Sequence, residues 1–322
     1  MKAIVFEKTG DPSVMQYVDV PKPELRPGTA LLKVHAAGIN FADTFFIRGE
    51  YMIKPKLPDT PGMEAAGVVE AVAPDVTGLR PGMRVTSITL KTYAEYCLIK
   101  PSQAIPLPDF VSFEEGAAFP IQVLTAWHML HTAHKTAPGQ TVVVHSAAGG
   151  VGIVAVQIAK AAGARVIGTV SSDSKSGLAR EYGADDVINY AASDFAAETM
   201  RLTGGRGADL ILDAVGKPTF EAGLKCLAPF GHLILYGRAG GPPDPLNPFR
   251  LFEKSVKVSG FVLPVVYTMP EVMREGIEKS FQLMREGKLK LLVGKTFPLA
   301  QAAEALRFMQ SRQSVGKLVL IP

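Results

Sequence analysis

Hydrophobic positions change their rhythm once along this chain. From Lys2 to about Lys100 they come in short β-rich runs, such as Leu31-Leu-Lys-Val-His35 and Gly67-Val-Val-Glu-Ala-Val72, separated by Pro and Gly turn signals. Such runs predict an antiparallel, barrel-like domain. Near Phe113 helical segments begin to alternate with short apolar strands: Thr141 to His145, Arg165 to Val170, Leu210 to Asp213, Leu233 to Gly237 and Val256 to Phe261. This alternation predicts βαβ units on a parallel sheet. Further on, the pattern predicts a helix over Glu271 to Gly287, an extended Lys295-Thr-Phe-Pro298, a helix from Leu299 and a closing strand Gly316 to Ile321. These last elements are able to return and complete the first domain. The expected fold class is α/β in two domains, one built from residues 1–120 and 263–322, the other from residues 121–262. Ala239-Gly-Gly-Pro-Pro-Asp-Pro245 reads as a loop, because its Pro and Gly cannot continue helix or sheet.

Composition narrows the picture without changing it. The 322 residues exceed the roughly 100 to 200 of an ordinary domain, and 47% hydrophobic with 20% charged residues suits packed cores rather than disorder. Basic and acidic residues, 34 against 30, are well mixed, so the net charge of +4 forms no stripe for a duplex and nucleic acid is not an expected partner. Cys97 and Cys226 lie far apart with no CxxC spacing. That excludes a disulfide framework or a structural zinc lobe and fits a reducing compartment. Glu7 breaks the N-terminal apolar run too early for a signal peptide, and no later run would span a bilayer. A cytoplasmic location without membrane attachment is expected.

The most informative stretch is Thr141-Val-Val-Val-His-Ser-Ala-Ala-Gly-Gly-Val-Gly152, an apolar strand entering a tight turn of small residues that opens a helix. Apolar positions at Val151, Val154, Ala155, Ile158, Ala159 and Ala162 give the helix one face for a sheet. Its N-terminus then points at the turn, where unpaired N–H groups and the helix dipole favour a diphosphate. Ala148, Gly149, Gly150, Val151 and Gly152 are the expected contacts. Ala147 stands where G-x-G-x-x-G would have its first glycine, but the flanking strand, the helix and a second strand, Arg165-Val-Ile-Gly-Thr-Val170, supply the βαβ context.

Binders of NAD place an Asp or Glu about 20 residues beyond the glycines, where it holds the adenosine ribose and repels a 2′-phosphate. Here the second strand ends Thr169-Val-Ser-Ser172, leaving Ser171 as a hydroxyl donor and Lys175 as a nearby cation. NADPH is therefore the expected cofactor, with Asp173 as the one carboxylate that argues for NADH.

At this point the chain resembles a known family. Ser146-Ala-Ala-Gly-Gly-Val-Gly152, Ile39-Asn-Phe-Ala-Asp43, Pro61-Gly-Met-Glu-Ala-Ala-Gly67 and Leu124-Thr-Ala-Trp127 follow the order and spacing of the zinc-free, zeta-crystallin-like quinone oxidoreductases among medium-chain dehydrogenases. The resemblance spans essentially the whole chain. It implies a GroES-like catalytic domain joined to a doubly wound Rossmann domain, NADPH held between them, and a homodimer formed through the Rossmann sheets. By position it implies that Ser171, Lys175, Tyr190 and Arg312 contact the 2′-phosphate and that Asn40 and Thr125 line the nicotinamide. It also implies cofactor contacts from Val215 and Gly216, from Tyr236 and Gly237, and from Phe261, Val262 and Leu263.

Zinc-dependent relatives carry Gly-His-Glu where this chain has Gly62-Met63-Glu64, and their catalytic cysteine is replaced near Asn40. A thioether and an amide cannot stand in for imidazole and thiolate around Zn²⁺, so no metal is expected and Glu64 reads as structural. His128, His131 and His134 drift round one predicted helix without a completing cysteine or carboxylate, which makes them poor ligands. The expected reaction is reduction of a quinone or related conjugated carbonyl by the nicotinamide. Tyr51, which aligns with a cleft tyrosine of the family, is the candidate substrate contact or proton source. Reduction of 2-alkenals or enoyl thioesters, and NADPH binding without catalysis, are the competing readings.

Overall fold

The computed structural model describes residues 1–322. The chain begins with strands β1 (Lys2–Val5), β2 (Gln16–Asp19) and β3 (Ala30–Ile39), helix α1 (Phe41–Ile47), and then β4 (Glu64–Val72), β5 (Arg84–Ile88), β6 (Tyr96–Ile99) and β7 (Ala104–Pro106). Helices α2 (Phe113–Ala118) and α3 (Pro120–His128) lead into β8 (Thr141–Val144), α4 (Gly150–Ala161), β9 (Arg165–Val170), α5 (Ser176–Glu181) and β10 (Asp186–Asn189). Then follow α6 (Phe195–Leu202), β11 (Ala208–Asp213), α7 (Lys217–Lys225), β12 (Leu227–Leu235) and β13 (Lys257–Gly260). The chain closes with α8 (Leu263–Val266), α9 (Pro270–Arg285), β14 (Val293–Pro298), α10 (Ala302–Gln310) and β15 (Lys317–Ile321). Two compact units result, residues 1–121 with 291–322, and residues 122–290.

The first unit is organised on β3. Its sheet runs β14-β15-β3-β4-β5-β7, with β6 also paired to β3, and every pairing except β14 with β15 is antiparallel. Because three strands hydrogen-bond to β3, nearly all of Ala-Leu-Leu-Lys-Val-His-Ala-Ala-Gly-Ile is buried, which is why it carries so few polar residues. Leu32 and Ile39 join Ile4, Phe6, Ile47 and Tyr93 in one apolar cluster. The closing strand does return to this unit: Leu318, Val319 and Leu320 pair with Ile39, Gly38 and Ala37.

In the second unit six parallel strands run β10-β9-β8-β11-β12-β13. Counted within the sheet, that is the order 3-2-1-4-5-6 of a doubly wound dinucleotide fold, with the switch point between β8 and β11. Helices cover both faces, so β8 and β11 are buried along their whole length and read as unbroken apolar runs. The expected boundary at residue 263 differs from the structure, in which residues 263–290 stay with this unit. The reason is packing. Gln157 of α4 donates its amide to the Lys290 carbonyl (3.0 Å) and accepts from the Lys290 N–H (2.8 Å), while α9 presses Gly276 so close to His128 that a Cβ there would lie 2.6 Å from Nε2.

Candidate functional site

The turn after β8 is shaped by backbone contacts that exclude side chains. Ser146 adopts a left-handed conformation (φ 56°), and the Gly149 N–H donates to its carbonyl at 2.8 Å. A Cβ on Gly152 would sit 2.1 Å from that same carbonyl oxygen, so only glycine lets the first turn of α4 lie against the strand end. Gly149 is the N-cap, and no side chain caps the helix. The N–H groups of Gly150, Val151 and Gly152, at the positive end of a 12-residue helix, are therefore left for an anion. The alanine in the fingerprint also finds its reason. Ala147 is fully buried and Gly168 of β9 stands opposite, where a Cβ would come within 2.8 Å of the Ala147 methyl. The missing glycine has moved across to the neighbouring strand.

Apart from Thr125, the other expected cofactor contacts of this unit follow the carboxyl ends of its strands, the edge where such sheets bind ligands. Ser171 follows β9, Lys175 ends a 3-10 turn, and Tyr190 follows β10, its N–H donating to the Val170 carbonyl at 3.1 Å. Burial holds the Lys175 pKa below its ordinary value. Asp173, the residue that argued for NADH, is engaged by the Asn189 side-chain amide at 2.9 Å. After β11, Asp213 gathers the N–H groups of Val215 (2.7 Å) and Gly216 (3.0 Å) and the Thr219 hydroxyl (2.9 Å). Gly216 is left-handed (φ 88°), and Gly237, after β12, lies so near Ala214 that a Cβ would be 2.6 Å from its carbonyl oxygen. Burial and the Asp213 carboxylate push the Tyr236 phenol up. Phe261 and Val262 follow β13, Leu263 opens α8, and Thr125 is buried within α3. The Ala239–Pro245 segment is a loop as expected, tied to the β11–α7 connection by the Gly240 N–H to the Val215 carbonyl at 2.8 Å.

Asn40, Tyr51 and Arg312 belong to the first unit. Asn40 caps α1, Tyr51 follows that helix, and Arg312 lies beyond α10 in a left-handed conformation (φ 61°). The Asn40 carboxamide is held at both ends: its Oδ1 accepts from Lys317 Nζ (2.8 Å) and its Nδ2 donates to Glu64 Oε1 (2.8 Å). Lys317 Nζ also donates to Glu64 Oε1 at 2.5 Å, and the Ile121 N–H to Glu64 Oε2 at 2.9 Å. The Lys317 and Glu64 side chains are both 0% exposed, so this is a buried ion pair. Beside it, Asp43 Oδ2 accepts from the Asn40 N–H and the Tyr93 hydroxyl, each at 2.8 Å, while Oδ1 has no partner. Burial pushes the Asp43 carboxyl up to about 7, against the opposing pull of the Asn40 N–H, the Tyr93 hydroxyl and Lys317. Burial, reinforced by Asp43, also raises the Tyr51 phenol, which keeps it an O–H donor at neutral pH. Met63 packs in the apolar cluster, and burial lifts the Cys97 thiol to about 12.

The histidines point to different neighbours. His128 Nδ1 bonds Thr132 Oγ1 (2.9 Å), His131 packs on Trp127, and His134 meets Gln140 (3.3 Å) and His232 (3.4 Å). The predicted helix that carries them is α3 up to His128 and a π turn over Met129–His134 beyond it. His35 stacks on Phe113, and the buried His145 bonds Thr169 Oγ1 at 2.8 Å.

Residues 26–117 match the alcohol dehydrogenase GroES-like domain and residues 150–278 the zinc-binding dehydrogenase domain. Over 100% of this chain and 99% of the relative, the sequence is 37% identical to a quinone oxidoreductase of Pseudomonas aeruginosa. The chain belongs to the quinone oxidoreductase branch of the medium-chain dehydrogenases. It is thus an oxidoreductase, with the GroES-like and Rossmann halves of that family. The chain is also 36% identical to 2-haloacrylate reductase of a Burkholderia species, over 99% of this chain and 98% of that one. Its fold matches the crystal structure of Escherichia coli quinone oxidoreductase complexed with NADPH with a TM-score of 0.96, at 34% identity and 100% coverage of both chains.

What pattern reading missed in this member of the family is the support behind the named residues. Lys317 had a signal, a lone cation inside the apolar closing strand, but periodicity alone does not say what it faces. Asp43 had another, since Asn40-x-x-Asp43 has the spacing of a reciprocal helix cap. Tyr93 and Gly168 had none. Gly168 acquires meaning only through the register that pairs Val144 with Gly168 and carries the following turn over it.

Proposed function

We propose that the protein reduces quinones and related conjugated carbonyls with NADPH and without a catalytic zinc. The carrying observation is the uncapped N-terminus of α4, locked under Ser146 by Gly152, beside a corner formed by Ser171, Lys175 and Tyr190 in which Asn189 engages the adjacent Asp173. Ala148, Gly149, Gly150, Val151 and Gly152 hold the diphosphate in this reading, and Ser171, Lys175, Tyr190 and Arg312 the 2′-phosphate. The NADPH in the Escherichia coli relative supports the same choice. By the family resemblance Asn40 and Thr125 are nicotinamide contacts, and Val215, Gly216, Tyr236, Gly237, Phe261, Val262 and Leu263 complete the cofactor surface. Bound there, the nicotinamide supplies a hydride.

The residues around Glu64 do not suit zinc. Asn40 and Met63 offer an amide and a thioether, Lys317 already neutralises Glu64, and the Cys97 thiol is kept protonated by burial. Polarisation and protonation therefore fall to the chain itself. Tyr51, its phenol held protonated, gives its proton to the acceptor oxygen that receives the electron pair and regains one from water. The similarity to 2-haloacrylate reductase favours a second acceptor class, an electron-poor carbon–carbon double bond such as that of a 2-alkenal or enoyl thioester.

No helix is long and apolar enough to cross a membrane, and both cysteines are free and buried, in keeping with a cytoplasmic oxidoreductase. The open edge of β13, and the exposed Phe249 and Phe252 (72% and 73%) in the 3-10 segment Pro248–Lys254 that precedes it, support assembly as a homodimer. The test is NADPH oxidation against a panel of quinones, alkenals and enoyl thioesters, with NADH in parallel. Saturable NADPH binding with turnover of one class is expected. Faster turnover with NADH, or turnover that tracks stoichiometric zinc, contradicts the reading, and tight NADPH binding without any turnover indicates a binding protein instead.

A further inference from the structure

Lys317 is the buried charge that the proposed chemistry leaves unused. It lies on β15 with 1% of its surface exposed, and its ammonium reaches Asn40 and Glu64, residues more than 250 positions away in the sequence. Stability alone is a poor reason for such a pair, because an apolar replacement of similar volume is commonly as stable as a buried ion pair. Its geometry offers a better one. A carboxamide carries an acceptor on one arm and donors on the other, and turning it over exchanges them. Here the acceptor arm of Asn40 faces an ammonium and the donor arm a carboxylate. The reverse orientation would set N–H against ammonium and C=O against carboxylate, so only one orientation is allowed. One Nδ2 hydrogen remains uncommitted.

Local charge balance points the same way. Two buried carboxyls, Asp43 and Glu64, share this interior with one ammonium. Glu64 takes the ammonium, while Asp43, its Oδ1 without a partner, has its carboxyl pushed up by burial to about 7. Lys317 and Asn40 thus share Glu64 Oε1 as their acceptor.

We infer that Lys317 is a positioning residue: with Glu64 it locks the Asn40 carboxamide in one orientation and so fixes the hydrogen-bonding atom that Asn40 presents to the nicotinamide. The inference rests on the proposed function, which gives Asn40 that neighbour. The test uses the full-length protein with both charges removed together, Lys317→Met with Glu64→Gln, so that no lone charge is buried. Because neither substituted residue is among the proposed diphosphate and 2′-phosphate contacts, NADPH affinity by fluorescence titration should stay within about threefold of wild type. Emission from the bound nicotinamide should shift, and kcat should fall about 10- to 100-fold with little change in KM, the mark of a misaligned rather than a vacated site. A folded double variant with wild-type emission and kcat overturns the inference. A wild-type protein that binds no NADPH overturns the proposed function first and this inference with it, so the two failures are distinct. Should the double variant not fold, exchange of the Asn40 side-chain amide protons in the wild-type protein decides: slow exchange supports the clamp, and exchange as fast as that of surface asparagines overturns it.

Discussion

Adding one methyl group to the turn after β8, by Gly152→Ala, tests the physical basis of the nucleotide site. The new Cβ would lie 2.1 Å from the Ser146 carbonyl oxygen, 2.8 Å from its carbon and 3.0 Å from Ala147 Cα, all backbone atoms. Contacts of a Cβ stay beyond about 3.0 Å, so the start of α4 must part from the turn by about 0.9 Å. Overpacking of this kind costs about 1 to 3 kcal/mol. At about 2 to 4 °C per kcal/mol for a unit of this size, the melting temperature should fall by about 2 to 12 °C. The displacement also moves the N–H groups of Gly150, Val151 and Gly152 off an anionic ligand. Losing one hydrogen bond to a charged group, about 1.5 to 3 kcal/mol, weakens NADPH binding about 10- to 100-fold. Calorimetry gives the first quantity and fluorescence titration the second. Gly150→Ala is the control, since its Cβ would meet only the end of the Gln122 side chain, which can swing aside. A Gly152→Ala protein that melts with the wild type and binds NADPH equally well would refute the close-approach argument.

Three further outcomes follow from the geometry. Asp43 holds its proton up to about pH 7 in the folded state against 3.8 as the ordinary value, so between these limits the folded chain binds the extra proton. Its contribution to stability is complete below 3.8 and is lost as pH rises through about 7; Asp43→Asn should flatten this dependence in denaturant melts compared at about pH 5 and about pH 8. Lys175→Ala should weaken NADPH about 10- to 100-fold and leave NADH unchanged; equal losses for the two cofactors in titration would remove Lys175 from the 2′-phosphate. Tyr51→Phe should lower kcat about 100-fold while NADPH affinity is retained, and undiminished reduction of every good acceptor in steady-state assays would exclude the phenol as proton source.

Much of this protein was legible before any packing was known. The strand–turn–helix around Gly149 to Gly152, the parallel strands of the second unit and the return of the closing strand follow from hydrophobic period and from glycine, which act over a few neighbouring residues. The donor types near Glu64, an amide and a thioether, were equally plain, because side-chain chemistry does not depend on the fold. Only tertiary structure decided why Ala147 is tolerated, since its reason is Gly168 across a strand pairing. Only packing assigned α9 to the second unit, through Gln157, Lys290 and the close approach of Gly276 to His128. Lys317 is the sharpest case: in the sequence it is one cation in an apolar strand, and it becomes a partner of Asn40, 277 residues away, once β15 pairs with β3. Register and burial are properties of the assembled sheet, and they decide which distant polar groups must satisfy one another away from water.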